Sequence, residues 1–216
     1  MNGNTLSEWL QGVEQLYNKG FQFIDGLRFT NGAYINVGFR GSAGFGFDCD
    51  AIVDSTNTSV SSYANYQAIG ASRYSLTYNA NLFIAVNGSY NSAIFVAGSN
   101  SALWNFVFGE KHHYEVRYAS GKACYAKVDG TIIGGPVYPS WNSGNNGNED
   151  VCIGRNSVSQ RILGVVPIYD SNGDMVRRLQ PAMRISDSEY GYLDTMHGIF
   201  YRKTGGSGTI ERISEK

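Results

Sequence analysis

The chain has 216 residues, of which 42% are apolar and only 16% charged; glycine (27) and tyrosine (15) are abundant and proline (4) is scarce. With a net charge of -1 and a pI near 6.3 there is no long-range field to draw nucleic acid or an anionic membrane surface, which argues against a polyanion partner. No window approaches the run of about 18 apolar residues that a membrane span needs, so membrane insertion is not expected either.

In chain order, "MNGNTLSEWLQ" has no basic region leading into an apolar run, so the expectation is synthesis in the cytosol without a signal peptide. Residues 5–19 have helical spacing. Thr5 and Glu8 form a capping box, Leu6, Trp9, Leu10, Val13, Leu16 and Tyr17 make an apolar stripe, and Lys19 and Gly20 stop it. That stripe either packs on the remainder of the chain or, through Trp9, Leu10, Val13 and Leu16, attaches the protein to another chain.

After Gly20 the apolar period changes to two. "FQFIDGLRFT", "AYINVGF", "GFGFDCDAIVD", "YQAIGA", "SLTY", "LFIAVNG" and "AIFVAG" are short runs bounded by Gly, Asn or Ser. In "HHYEVRYASGKACYAKVDGTIIGG", Tyr114, Val116 and Tyr118 alternate before Ser120-Gly121-Lys122, Cys124, Ala126 and Val128 alternate after it, and Asp129-Gly130 turns the chain again. A dozen short strands without a second helix predict an all-β, two-sheet antiparallel sandwich over 20–216 behind a short helix in 1–19.

Candidate chemistry is sparse. Cys49, Cys124 and Cys152 have no metal spacing and are read as buried thiols, with a Cys124–Cys152 bridge as the alternative. In "YDSNGDMV", Asp170, Asn172 and Asp174 alternate like the opening of a calcium loop, but Met175 stands where that loop needs glycine and Pro181 where it needs glutamate. Asn172-Gly173 is therefore read as a type I′ hairpin turn. His112 and His113, adjacent on a strand, point to opposite faces and cannot share an ion, and His197 fits a turn. Glycoside hydrolysis needs two carboxylates about 5–10 Å apart. Asp48/Asp50 and Asp187/Glu189 each could share a face, but neither pair sits in a run of strand-borne carboxylates such as Glu-x-Asp-x-x-Glu. No catalytic residue, metal or cofactor is expected. The stretch "YPSWNSGNNGNED", whose residues 142–150 are of low complexity and read as a surface loop, offers a binding surface instead: Tyr138 and Trp141 present flat rings for a sugar, and Asn142, Asn145 and Asn146 present paired donors and acceptors.

Residues 161–210 supply Val176-Arg177, Pro181, Arg184, Gly191, Asp194, Gly198, Phe200, Tyr201, Gly206, Gly208 and Thr209 in the order VRxxxPxxR, GxxD, GxFYxxxxGxGT. This pattern resembles the C-terminal signature of concanavalin A-like (laminin-G-like) modules, the lectin and glucanase fold, found in bacteriophage and prophage structural proteins. The resemblance implies a jelly-roll sandwich in a virion, as a capsid decoration or a fibre or tail adhesin. Such a protein would be present in many copies, would contact other virion proteins or a host-surface glycan, and would act by binding. A bacterial carbohydrate-binding protein outside a virion is the alternative, and a glycosidase of the same fold a weaker one.

Overall fold

The switch to period two at Gly20 marks where strands begin. The computed structural model describes residues 20–40, 45–54, 69–70, 92–97, 100–105, 109–117, 124–137, 150–154, 159–170 and 172–213. Among them there are strands and no helix: β1 (Phe21–Phe23), β2 (Gly26–Phe29), β3 (Tyr34–Arg40), β4 (Gly46–Val53), β5 (Ile69–Gly70), β6 (Ser92–Ala97), β7 (Asn100–Asn105), β8 (Lys111–Arg117), β9 (Cys124–Val128), β10 (Thr131–Val137), β11 (Asp150–Gly154), β12 (Gln160–Leu163), β13 (Val166–Tyr169), β14 (Met175–Arg184), β15 (Glu189–Asp194), β16 (Ile199–Arg202) and β17 (Ile210–Arg212). The helix of residues 5–19, with Trp9, Leu10, Val13 and Leu16, lies outside the described residues, as do "SLTY" and "LFIAVNG".

Every strand pairing among the described residues is antiparallel. The large sheet runs β10-β9-β8-β4-β13-β14-β15-β16. β4 has two partners on one side: Gly46 and Phe47 face β13, and Asp50 to Val53 face β12. The chain changes partner at Gly164, whose N–H donates to Asp25 O at 2.8 Å, so that β12 leads on to β2 and β17 while β13 leads on to β14. The second sheet is β3-β11-β5, and β6 pairs with β7.

The expected two-layer all-β sandwich is therefore what forms, and the alternation explains it. On β4, Phe47, Cys49 and Ala51 are buried while Asp48 and Asp50 face out. Leu27, Phe29, Ile162, Ile168, Leu179 and Tyr192 of the large sheet and Ile35, Val37, Val151 and Ile153 of the second make up the buried core. Each such side chain contributes about 1.5–3 kcal/mol by leaving water. Cys49 and Cys152 are buried as expected, and the Cys152 thiol donates to Asp150 O at 3.5 Å. Burial, with the Asp50 and Asp48 charges behind it, pushes the Cys49 thiol far up and keeps it unreactive.

Two turns behave differently from each other. Asp129 and Gly130 both have positive φ (50° and 78°), the two-residue I′ geometry that the sequence signals between β9 and β10. At Asn172-Gly173 the I′ reading is corrected: positive φ falls on Gly173 (89°) and not on Asn172. Gly173 N donates to Asp170 O and Asp170 N to Asp174 O, which lengthens the loop, and the register shifts between Ile168 and Tyr169. The Asp170 side chain decides this by accepting from the N–H groups of Asn172 (2.8 Å) and Asp174 (3.0 Å).

The C-terminal segment closes the structure across the β2–β3 turn. Gly208 N donates to Asn31 O, Thr30 N to Thr209 O, and Tyr34 N to Gly205 O before β17 pairs with β2. A Cβ on Gly206 would lie 2.0 Å from Gly32 O and one on Gly208 1.6 Å from Thr30 O, so this crossing admits only glycine.

One core group is out of place. Tyr192 is fully buried against Phe29, and its hydroxyl has no hydrogen-bond partner among the described residues. Tyr192→Phe should therefore raise stability by about 1 kcal/mol, or roughly 2–4 °C in Tm for a chain of this length. A lower Tm in thermal denaturation would contradict the unsatisfied hydroxyl.

Candidate functional site

Period two places one set of β4, β8 and β13 side chains in the core and the other on the outer face of the large sheet. The outer set is Asp48 and Asp50 on β4, Lys111, His113, Glu115 and Arg117 on β8, Lys127 on β9 and Tyr169 on β13. Register sets Asp48 directly opposite Glu115, an unfavourable like-charge pair. Two cations resolve it. Arg117 forks Asp48 with Nη1–Oδ1 at 2.6 Å and Nη2–Oδ2 at 3.0 Å, and Lys127 Nζ takes Glu115 Oε1 at 3.0 Å. Tyr169 donates its hydroxyl to Asp48 Oδ2 at 3.0 Å, and the Arg117 guanidinium carbon stands 3.8 Å from the Tyr169 ring centroid. One row further along, Asp50 meets His113 Nδ1 at 2.7 Å and Lys111 Nζ at 3.5 Å.

The result is a half-exposed surface of planar groups in fixed orientations. Partial desolvation opposes the Arg117 charge, but its hydrogen bond and ion pair to Asp48 outweigh it and raise the guanidinium above its ordinary value. Tyr169 is also raised, by desolvation first and then by Asp48, so it remains a phenol. At the end of β8, His112 Nδ1 lies 2.8 Å from Asp129 Oδ2 while His113 N donates to Asp129 Oδ1 at 2.8 Å. Desolvation raises the Asp129 carboxyl, yet the His113 N–H and the His112 ring outweigh it and hold the group below the usual carboxylate range.

The other candidates are structural. Asp194 is fully buried and accepts from Arg178 N (3.3 Å), Met196 N (3.0 Å) and His197 Nδ1 (2.7 Å), so His197 is satisfied in the turn as expected. Arg184 forks Asp187 and reaches Glu189 at 2.7 Å. The Arg184 hydrogen bond holds Asp187 low, which is opposite to the raised pKa of a glycosidase general acid. His112 and His113 do point to opposite faces, each to its own aspartate. Among the described residues no group of three or more His, Cys, Asp or Glu is placed to hold a metal. Tyr138, Trp141, Asn142, Asn145 and Asn146 lie outside the described residues.

Sequence reasoning weighed Asp48 and Asp50 as a pair but missed Arg117, Tyr169, Glu115 and Lys127. The signal was present locally, since Lys111, His113, Glu115 and Arg117 recur at every second position. What was missing was the register that sets them beside β4. Chemically, the face offers an aromatic edge, a guanidinium and carboxylates, the group types that bind hydroxyls by paired hydrogen bonds.

No family model and no curated protein matches the chain. A solved structure from Bacteroides ovatus, whose name proposes carbohydrate binding, overlays with a TM-score of 0.56 at 15% identity, covering 90% of this chain and 61% of that one. This chain thus spans less than two thirds of that protein, and at such identity the likeness speaks to the fold. The carbohydrate-binding module CBM66 of Bacillus subtilis overlays at a TM-score of 0.35 with 10% identity, over 67% of this chain and 92% of that one.

Two measurements check these assignments. Asp194→Asn should destabilise by about 3 kcal/mol because it disturbs a fully buried, multiply bonded carboxylate, whereas His197→Ala, half-exposed, should cost under about 1 kcal/mol. Equal losses would mean that the histidine has more than a turn to hold. Asp129, with its lowered folded value, contributes stability that is full above the unfolded value of about 3.9 and is lost as pH falls below it. Stability should therefore drop with acid in that window, and Asp129→Asn should flatten the drop in denaturant titrations between pH 5 and pH 2, taken as about the span of that loss.

Proposed function

We propose that the protein is a glycan-binding β-sandwich that acts by binding alone, with the outer face of β4, β8 and β13 as its binding surface. The observation that carries this reading is the Asp48–Arg117–Tyr169 cluster, a half-buried ring with the Arg117 guanidinium over one face and the forked Asp48 carboxylate at its hydroxyl. An aromatic ring with fixed planar hydrogen-bonding groups is suited to a sugar, which offers an apolar C–H face and a rim of hydroxyls. The fold likeness to the Bacteroides ovatus protein supports the same class. The Tyr138–Trp141 loop, with Asn142, Asn145 and Asn146, is proposed as a second contact for the same ligand.

Two settings are consistent with this activity. The pattern of residues 161–210 supports a bacteriophage virion component, a capsid decoration or a fibre or tail adhesin, with Trp9, Leu10, Val13 and Leu16 as the attachment face and several copies per particle. The named property of the Bacteroides ovatus protein supports a bacterial carbohydrate-binding protein outside a virion equally well. Mass spectrometry of purified particles separates them: peptides of this chain at many copies support the virion setting, and their absence from particles with presence in cells supports the other.

The binding reading predicts that Tyr169→Ala lowers glycan-array binding at least about tenfold, the loss of one ring contact and its hydrogen bond, with Tm shifted by less than about 4 °C. Trp141→Ala, tested alongside, should also weaken binding with Tm held. Retained binding in both variants would remove both surfaces from consideration.

A further inference from the structure

The charges on the proposed face cancel, and this bears on which sugar it can take. Asp48, Asp50 and Glu115 supply three carboxylates, and Arg117, Lys111 and Lys127 supply three cations, each within 3.5 Å of one of those carboxylates. His113 is turned to Asp50. The neighbouring cations are engaged elsewhere: Arg178 on β14 donates from Nη1 to Thr195 in the β15–β16 turn, and Arg161 on β12 and Arg28 on β2 share Asp54 beyond the end of β4.

We infer that the ligand is an uncharged polysaccharide and that Asp48 is the residue that enforces this. The inference rests on the glycan reading above and deepens it. A uronate or sulfate brought to Arg117 must displace a carboxylate that already holds the guanidinium by two hydrogen bonds and is itself held by the Tyr169 hydroxyl. It would also approach Asp50 and Glu115. An amino sugar has the mirror-image difficulty, because each carboxylate already has its cation. Hydroxyl groups face neither obstacle. They donate to the outer lone pairs of Asp48 and Glu115 and accept from the remaining N–H groups of Arg117 and Lys127 without breaking a pair. Specificity here is a matter of rejecting the charged competitor, since the face gains nothing from long-range attraction.

Asp48→Asn removes that rejection. The amide keeps the size of the side chain and can still accept from Tyr169, but Arg117 loses its counter-charge and becomes an anion site stacked on a ring. Glu115→Gln does the same more weakly by releasing Lys127.

The test is isothermal titration of the protein with neutral mannan, glucan and galactan, and with polygalacturonate, a sulfated galactan and chitosan, in low and high salt. For the unaltered protein the expected result is binding of at least one neutral polymer, with Kd changing less than about twofold between 50 and 500 mM salt, as short-range hydrogen bonds require. Polygalacturonate should bind Asp48→Asn about tenfold or more tighter than it binds the unaltered protein at 50 mM salt, and that gain should vanish at 500 mM. Glu115→Gln should move in the same direction and carries the test where Asp48→Asn does not fold. A charged polymer bound best by the unaltered protein, lost in Tyr169→Ala, would overturn the inference while leaving the glycan reading standing. If none of the six polymers binds, the glycan reading falls and this inference with it.

Discussion

A single buried carboxylate ties the layers of this sandwich together. Asp194 is fully enclosed, and an isolated charge there would carry a desolvation penalty of several kcal/mol. It is tolerable because four groups converge on it: Arg178 N, Met196 N, the His197 ring and, at 3.5 Å, Arg177 Nε. Those groups come from β14 and from the β15–β16 turn, so the three strands must be in place before the charge can be. Arg177 then carries the connection across the core, donating to Gly38 O at 2.9 Å and Val37 O at 3.4 Å on β3 of the second sheet. The arrangement is cooperative, because removing β14 or the β15–β16 turn leaves the buried Asp194 carboxylate without part of its donor set.

The proposed binding face inherits its geometry from that staple. With β14 held by Asp194, β13 is fixed beside it in register from Val166 opposite Leu179, and the other edge of β13 meets β4 at Phe47 and Gly46. This places the Tyr169 hydroxyl 3.0 Å from Asp48. The partner change at Gly164 matters too, since it lets β4 take β12 along one half and β13 along the other. A ring from residue 169, a carboxylate from residue 48 and a guanidinium from residue 117 meet only because strands remote in sequence are ordered by the core and by the closing turn.

That remoteness explains what could be read in advance. The period-two alternation showed the β class, the inward Tyr114 and Val116 of β8 and the shared face of Asp48 and Asp50 on β4, because alternation is a local property of a half-buried strand. The Asp129-Gly130 turn was legible for the same reason. The Asn172-Gly173 turn was misread as I′ because its shape is set by the Asp170 side chain capping two N–H groups, a competition that the dipeptide alone does not reveal. Sheet order was not legible at all. Asp48 and Asp50 stood out as a pair on one face, but their partners on β8 and β13 lie about 65 to 120 positions away, and nothing in a single sequence states which strands neighbour which.

The signature that makes residues 161–210 resemble a known module is almost wholly spent on closure. Arg177 and Asp194 form the staple, Pro181 O accepts Ile24 N, Arg184 anchors the turn at Asp187, Tyr201 packs against Gly38, and Gly206, Gly208 and Thr209 lay the C-terminal segment over the β2–β3 turn. None of these positions belongs to the proposed binding face. Tyr169 lies inside the same stretch yet outside the pattern, and Asp48, Glu115, Arg117 and Lys127 lie outside the stretch altogether. Residues whose loss would unfold the sandwich are thus separate from residues that would choose a ligand. A change of ligand can therefore proceed on β4, β8 and β13 without disturbing the staple, and the resemblance is informative about the fold in proportion as it is silent about the sugar.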